Sequence, residues 1–344
     1  MGVQCVAQLT VLEPEGMYPD TVLEQSVLGP TVRVLQGGAP VSGTLDALSD
    51  EVCAQVDGLL IFRHWLRPQH IARFPKLKVV VRMGVGYDRL DRAACAARGI
   101  TVCNVPDYGT QEVADHAISL ALALRRGIIL HHDLQRADPP APWGYVDSPL
   151  IKRAEVQGFG IVGLGRIGTA VALRAKAFGF KVRFYDPLLP NGVDRALGIT
   201  RCRSLEDLMR GADVLSIHVP ETRTTRGMIG AKELACLPAG AVVVNTARGT
   251  SLDIDALEAA MRSGQIAGAG LDVIPVEPPI EPVPRLLAAY RARESWLQGR
   301  LVVTPHSAFH TPDAWADIRM KSAETMRDVL LHGLSTNVIR PDQD

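Results

Sequence analysis

The chain has 344 residues, its 37 Lys and Arg residues balance 37 Asp and Glu residues, and hydrophobic residues make up 47% of it. This length predicts two domains, while the balanced charge argues against a partner such as nucleic acid or an anionic membrane and favours a small molecule. The six cysteines are scattered without a C-x-x-C pair, so neither a metal site nor a disulfide framework is expected.

The N-terminal part of the chain has the pattern of an α/β domain. Its first residues, MGVQCVAQLTVLEPEG, lack the regions of a signal peptide, and no later run reaches membrane-spanning length, so a cytoplasmic location is expected. Short apolar runs alternate with helix-like polar stretches up to about residue 105: TVRVLQ, DGLLIF, LKVVVRM and ITVCNV. From Thr110 to Arg136, an Ala- and Leu-rich segment without proline predicts one long, mostly buried helix.

A second α/β series follows the proline-rich interval ADPPAPWGYVDSPL. Its apolar runs each suit a strand that is buried on both faces of a parallel sheet: FGIV, KVRFYD, DVLSIHV, AVVVNT, AGAGLDV and LVVTP. After His306, the segment PDAWADIRMKSAETMRDVLLHG predicts a helix that ends at a glycine.

A G-x-G-x-x-G motif lies between the first strand of this series and the helix that follows it. Gly163 permits a tight turn, Gly165 lets the backbone approach a pyrophosphate, and Gly168 lets helix and strand pack closely. The next strand ends in Asp186, whose carboxylate can accept hydrogen bonds from an adenosine ribose and would repel a 2′-phosphate. The alternative is a glycine-rich turn without a ligand, but the strand, turn, helix, strand and acid together favour NAD binding.

Polar residues follow three later strands: Arg248 in AVVVNTARGT, Asp272 and Glu277 in AGAGLDVIPVEPP, and His306 in LVVTPHSAFH. Because ligands bind outside the carboxyl ends of parallel strands, a guanidinium, a carboxylate and an imidazole are expected to converge there. Arg can hold a substrate carboxylate with a bidentate fork, and His can transfer a proton while a nearby carboxylate orients its ring and favours its charged form. Taken singly, each residue has an alternative role as a surface ion pair, a loop charge or a helix cap.

Six motifs, in order and spacing, resemble those of the D-isomer-specific 2-hydroxyacid dehydrogenase family over nearly the whole chain. They are LKVVVRMGVGYDRLD, NVPDYGTQEVADHA, VGLGRIG, NTARGT, LDV followed by EPP, and TPH. Within the family the chain is most similar to the C-terminal-binding-protein branch, through VRMGVGYDRLD, AVALRAKAFGFKVRFYDP, RALG and NTARG. The resemblance implies NAD-dependent hydride transfer to or from C2 of a small D-2-hydroxy or 2-oxo acid.

The resemblance also implies roles for individual residues. Catalytic roles fall on Arg248, Glu277 and His306. A loop whose backbone N–H groups hold the substrate carboxylate, together with an arginine that reaches the substrate, matches Arg82, Met83, Gly84, Val85 and Gly86; an ion pair beside the strand is the alternative for the arginine. Cofactor contacts match Thr110, Gly163, Gly165, Arg166, Ile167, Gly168, Asp186, His218, Val219, Pro220, Thr246, Ala247, Arg248, Asp272 and His306.

Some positions depart from the family pattern. The stretch IEPVPRLLAAYRARESWLQGR before His306 is longer than the usual connection, so the family's lid and oligomer contacts are not carried over to it. Phe309 stands where the branch often has tryptophan, so a different substrate preference is expected. Formate-oxidising relatives carry Gln in place of Glu277, so formate is not an expected substrate. His64, beside Trp65, is interpreted as a packed surface residue outside the site.

The family architecture is α/β, with two Rossmann-like or flavodoxin-like domains of parallel sheets and the nucleotide-binding domain inserted into the substrate domain. Residues 1–105 and 307–344 are expected to form the substrate domain, and residues 106–306 the NAD-binding domain. A homodimer is expected from the family and from the apolar helix at 110–130. The alternative to a metabolic enzyme is an NAD(H)-sensing regulatory protein with little turnover, which such a triad alone does not exclude.

Overall fold

Parallel strands and intervening helices build the molecule, which a computed structural model describes over residues 8–39 and 44–341. The described strands, in chain order, are β1 Leu9–Glu13, β2 Val32–Gln36, β3 Gly58–Ile61, β4 Val79–Arg82, β5 Thr101–Asn104, β6 Gly158–Val162, β7 Lys181–Tyr185, β8 Thr200–Arg201, β9 Val214–Ile217, β10 Ala241–Asn245, β11 Ile266–Leu271 and β12 Leu301–Val303.

The described α-helices, in chain order, are α1 Val22–Leu28, α2 Asp50–Cys53, α3 Pro68–Ala72, α4 Arg92–Ala97, α5 Thr110–Arg125, α6 Ile128–Arg136, α7 Arg166–Ala177, α8 Val193–Leu197, α9 Leu205–Arg210, α10 Ala231–Cys236, α11 Ile254–Arg262, α12 Arg285–Arg291 and α13 Pro312–His332. No helix within 8–39 and 44–341 is both long enough and apolar enough to cross a membrane.

The chain divides into two compact units. The first contains the described residues up to Gly109 and those from Thr311 onward, and the second is continuous from Thr110 to His310. The second unit is therefore inserted into the sequence of the first. The bounds of the two units lie where α5 begins and just before α13 begins.

The first unit is a five-stranded sheet in the order β2-β1-β3-β4-β5, with every strand pair parallel. All four residues of β3 are buried, as expected of a parallel strand whose two faces are both covered. Helix α13 packs on β3 and β4 and also contacts α1. It ends at Gly333 in a left-handed conformation, which confirms the helix and the glycine stop predicted from the sequence.

The second unit is a seven-stranded parallel sheet in the order β12-β11-β10-β9-β6-β7-β8. Alternate residues of β10 point into two different buried clusters: Val242 and Val244 join one that includes α5 and α7, while Val243 joins one that includes α9 and α11. The sheet thus has an apolar layer on each face. The strand order reverses between β6 and β9, where open α/β sheets form their ligand crevice.

The register of this sheet aligns the carboxyl ends of its central strands. Val162 pairs with Ile217, Ile217 with Asn245, Asn245 with Leu271, and Leu271 with Val303. Each of these residues is the last of its strand. The five segments that follow these strands therefore leave the sheet at one edge.

The structure differs from the sequence analysis at two points. The segment LTVLE was not singled out as a strand, yet it forms β1 near the centre of its sheet. The predicted single helix from Thr110 to Arg136 is two helices, because Gly127 adopts a left-handed conformation between α5 and α6, and no residue of α6 is buried. The buried residues of α5, such as Ala117 and Leu124, belong to the core of their own unit, and the expected homodimer stays a prediction.

The long connection after Glu277 is part of the core. It forms α12, in which Leu286 and Ala289 are buried beside α11. The Arg262 guanidinium of α11 lies 4.1 Å from the ring centroid of Trp296, so a cation–π contact also joins the connection to the sheet's covering layer.

Arg125, the last residue of α5, binds loops that lie before β9 and β10, at the amino ends of the strands. It is 1% exposed, and its guanidinium donates hydrogen bonds to the carbonyl oxygens of Gly240 at 3.0 Å, of Pro149 and Leu150 at 3.4 Å, and of Asp213. Burial lowers the pKa of Arg125 to about 10, so the group stays charged at neutral pH.

Replacing Arg125 with Met should lower the free energy of unfolding by about 3–5 kcal/mol, because several buried carbonyl groups lose their donors. Urea unfolding followed by circular dichroism measures this change. Arg126→Met is the matched control, since Arg126 is the exposed neighbour. Equal stability losses in the two variants would show that the buried guanidinium does not hold these loops together.

Candidate functional site

The glycine loop, residues 163–168, has the shape needed to hold a dinucleotide. A Cβ on Gly168 would lie 2.2 Å from the Gly163 carbonyl oxygen, so only glycine allows α7 to pack this closely on β6. A Cβ on Gly165, in contrast, would meet no atom within 4 Å. The first N–H groups of α7, including those of Arg166 and Ile167, have no intrahelical partners and face outward from the helix start. The loop therefore leaves room, and backbone donors, for a pyrophosphate.

Asp186 follows the last residue of β7 and is tied to the glycine loop. Its Oδ2 accepts a hydrogen bond from the Leu164 backbone N–H at 2.9 Å, and its Oδ1 accepts one from Leu188 at 3.0 Å. Each carboxylate oxygen keeps a second lone pair, which can accept a ribose hydroxyl. The fold thus places this carboxylate beside the glycine loop, where the sequence predicted it.

Two further residues predicted to contact the cofactor show contrasting side-chain environments. The His218 ring nitrogen Nε2 lies 2.7 Å from Ser216 Oγ, and burial lowers the pKa of His218 to about 3, so the ring is neutral. The buried Thr246 hydroxyl has no hydrogen-bond partner within the described part of the chain. Because buried hydroxyl groups are normally satisfied, Thr246 fits a ligand contact.

Three other predicted cofactor positions, Val219, Pro220 and Ala247, follow β9 or β10 at the same edge. Val219 packs against Gly163, and the Pro220 carbonyl oxygen accepts a hydrogen bond from Thr225 Oγ1 at 2.6 Å. Thr110 begins α5, and Ala247 packs at the margin of the core. Their contacts with a cofactor stay predictions.

His306 and Glu277 form a close pair. His306 Nδ1 lies 2.5 Å from Glu277 Oε2, and Glu277 Oε1 accepts a hydrogen bond from the Ile274 N–H at 3.0 Å. Burial alone would raise the pKa of Glu277, but the hydrogen bond and charge of His306, with smaller contributions from Ile274 and Arg248, hold this pKa below its ordinary value. Since an ionised carboxylate only accepts hydrogen bonds, His306 carries a proton on Nδ1, and Nε2 is left for other chemistry.

The turn after β10, which carries Arg248 and is here named the Arg248 turn, is fixed by two side-chain hydrogen bonds. Asn245 Nδ2 and Ser251 Oγ donate hydrogen bonds to the Arg248 carbonyl oxygen at 2.9 and 2.7 Å. The next residue, Gly249, lies so close to the segment before Glu277 that a Cβ would come within 1.9 Å of the Ile274 carbonyl carbon. The backbone after β10 therefore packs directly on the segment that carries Glu277.

Asp272 is 2% exposed, and its side chain bonds within the protein. Its carboxylate accepts hydrogen bonds from Thr304 Oγ1 at 2.5 Å and from the backbone N–H groups of Ser307 at 2.9 Å and Ala308 at 3.0 Å. Its carbonyl oxygen accepts the His306 N–H at 2.8 Å. Asp272 thus holds the segment 304–308, which is here named the His306 loop. Its predicted contact with a cofactor stays a prediction.

The first unit contains the predicted substrate loop. Arg82 ends β4, its Nη1 donates a hydrogen bond to the Met83 carbonyl oxygen at 3.0 Å, and its guanidinium lies 5.5 Å from the ring centroid of Phe62. The Gly84 carbonyl oxygen accepts the Val105 N–H at 3.1 Å. In the rest of this loop, the Val85 carbonyl oxygen accepts a bond from Asn104 Nδ2 at 2.7 Å, and Gly86 is half-buried.

The structure also shows residues that the sequence analysis missed or misjudged. His64 is 3% exposed, so its interpretation as a surface residue is wrong. Its backbone N–H donates to the buried carboxylate of Glu15, as do those of Phe62 and Arg63. The sequence analysis gave Asn245 no role, although it belongs to the NTARGT motif and its side-chain amide donates to the Arg248 carbonyl oxygen. Within residues 8–39 and 44–341, no group of three or more His, Cys, Asp or Glu residues is placed to hold a metal ion.

Gly165→Ala should weaken NADH binding by about tenfold or more, because the new methyl group occupies space that the fold leaves for the pyrophosphate. Its melting temperature should stay near that of the parent, since no protein atom lies within 4 Å of the added carbon. Gly168→Ala is the contrasting variant and should lose stability by overpacking. Titration of NADH fluorescence and thermal unfolding measure both effects, and parental NADH affinity in Gly165→Ala would contradict the assignment.

Comparisons with known proteins agree with this geometry. Residues 118–308 match the family model described as the NAD binding domain of D-isomer specific 2-hydroxyacid dehydrogenase. The D-3-phosphoglycerate dehydrogenase of Methanocaldococcus jannaschii is 35% identical over 272 residues, which cover 78% of this chain but only 48% of that protein. The glyoxylate reductase of Korarchaeum cryptofilum is 36% identical over 262 residues, which cover 75% of this chain and 73% of that protein.

A solved structure extends the likeness to both units. The NADPH-dependent glyoxylate/hydroxypyruvate reductase of Sinorhizobium meliloti, in complex with NADP and malonate, superposes with a TM-score of 0.79 at 28% identity and covers 98% of each chain. The family predicted from the motifs is thereby confirmed, as is the α/β class with two parallel sheets, and the family model supports the predicted NAD cofactor because it describes an NAD binding domain. The chain belongs to the D-isomer specific 2-hydroxyacid dehydrogenases, and residues 118–308 lie in its NAD-binding domain.

Proposed function

We propose that this protein uses NAD(H) to interconvert a small 2-oxo acid and its D-2-hydroxy acid. The observation that carries the proposal is the contact of 2.5 Å between His306 Nδ1 and Glu277 Oε2 on the NAD-binding unit. This contact fixes the imidazole and leaves Nε2 as the proton-transfer atom. The charges of both Arg248 and His306 lower the pKa of Glu277, so the three side chains interact electrostatically.

In the direction of reduction, NADH supplies the hydride that C2 accepts. His306 donates a proton from Nε2 to the carbonyl oxygen, and Glu277 balances the positive charge that the imidazolium carries before this transfer. Arg248 binds the carboxylate and polarises the carbonyl group through its fixed guanidinium. In the direction of oxidation, neutral His306 takes the hydroxyl proton back.

The substrate carboxylate is assigned to the backbone N–H groups of residues 83–86, with Arg82 as a further contact. The N–H groups of Met83 and Gly84 already donate to the carbonyl oxygens of Ile61 and Arg82, at 2.8 and 2.9 Å, so the assignment rests on those of Val85 and Gly86. Asn104 Nδ2 holds the same loop through the Val85 carbonyl oxygen. The relatives named above suggest that short, polar 2-oxo acids should be screened first. Glyoxylate and hydroxypyruvate are the first two candidates.

A regulatory role, of the kind predicted from the C-terminal-binding-protein branch, is the competing assignment. The His306–Glu277 pair alone does not decide between the two assignments, but the relatives named above are a dehydrogenase and two reductases, which favours turnover. A screen of 2-oxo acids with NADH oxidation followed at 340 nm decides between them. Reduction of at least one acid supports the enzyme, and tight NADH binding with no turnover on any acid supports the regulator.

The proposal includes a homodimer in the cytoplasm. Trp143 and Tyr145 are 94% and 89% exposed in the segment after α6, and Ile128 is 57% exposed at the start of α6. Exposed aromatic residues of this kind mark interaction sites, which supports self-association through this part of the second unit. Sedimentation analysis of the parent and of a Trp143→Ser, Tyr145→Ser variant tests this point.

Arg248→Lys should retain NADH binding but lose about a hundredfold or more in kcat/KM, because an ammonium group cannot form a bidentate fork on the substrate. Steady-state kinetics and NADH titration check the two parts separately. Arg226→Lys is the control, since Arg226 forms an exposed ion pair with Glu221. Near-parental kcat/KM in Arg248→Lys would remove Arg248 from the substrate site.

Glu277→Gln should move the descending limb of the pH profile of kcat/KM for reduction to lower pH by about one unit, because the imidazolium loses its counter-charge. The low pKa of Glu277 keeps this carboxylate ionised throughout the working range of the parent. The ascending limb for hydroxy-acid oxidation should move in the same direction, since neutral His306 is then available at lower pH. If the pH profiles of Glu277→Gln overlay those of the parent, Glu277 does not determine the pH at which the His306 imidazole loses its proton.

A further inference from the structure

A chain of hydrogen bonds connects α5 to the His306 loop. His116 Nε2, on α5, lies 3.0 Å from Thr304 Oγ1, and Thr304 Oγ1 lies 2.5 Å from Asp272 Oδ1. All three residues belong to the second unit. The His116 side chain is 25% exposed, whereas that of Asp272 is 1% exposed, so the chain runs from a half-buried ring to a buried carboxylate.

The chemistry of these groups fixes the direction of the hydrogen bonds. Because the Asp272 carboxylate accepts from two backbone N–H groups, the Thr304 hydroxyl uses its one proton to donate to Asp272. The Thr304 oxygen must then accept from His116. His116 therefore carries a proton on Nε2, and its N–H is the donor that completes the chain.

The His306 loop needs this support because its backbone is unusual. His306 has a φ of 53°, a left-handed backbone conformation that residues other than glycine seldom adopt. Its N–H lies 2.8 Å from the Asp272 carbonyl oxygen, while the two residues after it donate to the Asp272 carboxylate. The orientation of one carboxylate therefore determines the position of the backbone that carries the imidazole.

We propose that His116 is a positioning residue for His306: its Nε2–H holds the Thr304 hydroxyl on Asp272, and Asp272 in turn holds the His306 loop. As far as it concerns turnover, this inference rests on the proposed function. His116 takes no part in proton transfer and acts only through Thr304 and Asp272. Because small displacements of a reacting group cost rate strongly, the loss of this donor should reduce kcat more than it reduces stability.

Two substitutions of His116 separate the hydrogen bond from the bulk of the ring. Gln can place its side-chain N–H₂ near the position of Nε2 and keep the donor, whereas Leu removes the donor and retains apolar volume. His116→Leu should lower kcat about tenfold with little change in the KM for NADH, and His116→Gln should recover to within about threefold of the parent. Ser119→Leu, on an exposed position of the same helix, is the matched control.

A second measurement does not depend on turnover. Hydrogen–deuterium exchange of the peptide containing residues 304–310 should be faster in His116→Leu than in the parent, because the amides of Ser307 and Ala308 lose a well-oriented acceptor. His116→Gln should show near-parental exchange. Thr304→Val should resemble His116→Leu, and Thr304→Ser should resemble the parent.

The two readouts separate the outcomes. Parental exchange in His116→Leu, or equal losses of kcat in the Leu and Gln variants, would overturn the positioning role. If the parent reduces no 2-oxo acid, the proposed function fails, but the exchange rates still decide whether His116 orders the His306 loop.

Discussion

The candidate site depends on one constraint, the register of the parallel sheet in the second unit. Because the last residues of β6, β9, β10, β11 and β12 are aligned from strand to strand, the segments after them leave the sheet together. The glycine loop and the residues around Arg248, Glu277 and His306 all lie in such segments. A shift of one strand by one residue would exchange the side chains that face the two apolar layers, so the packing of these layers also protects the alignment of the site.

Carboxylates organise the site behind its reactive groups. Asp186 joins the glycine loop to the end of β7, Asp272 holds the His306 loop, and Glu277 fixes the imidazole of His306. Each of these carboxylates accepts at least one backbone N–H group, which orients it. The site is therefore preorganised by hydrogen bonds that the fold itself supplies, and this arrangement is what electrostatic catalysis requires.

Much of the fold followed from local patterns in the sequence. The apolar runs predicted the buried parallel strands of both sheets, and the glycine loop with Asp186 predicted the dinucleotide site, because these patterns reflect local backbone and burial requirements. The strand LTVLE was missed because two of its five residues, Thr10 and Glu13, are polar, and their burial depends on tertiary contacts that composition does not show. The break at Gly127 was missed because composition shows a strong helix former on both sides but does not show the local backbone conformation.

The sequence by itself determined the family, the α/β class and the NAD-binding motif, and it predicted catalytic roles for Arg248, Glu277 and His306, since these depend on residue types at fixed spacings. Only the tertiary structure decided which side chains support them. His116 lies far from Thr304 in the chain, and Gly249 acts through the close approach of its backbone to Ile274, so spacing carries no signal of their roles. Hydrogen bonds between distant segments exist only after the sheet has set its register, and this is the physical reason that the positioning network had to be read from the fold.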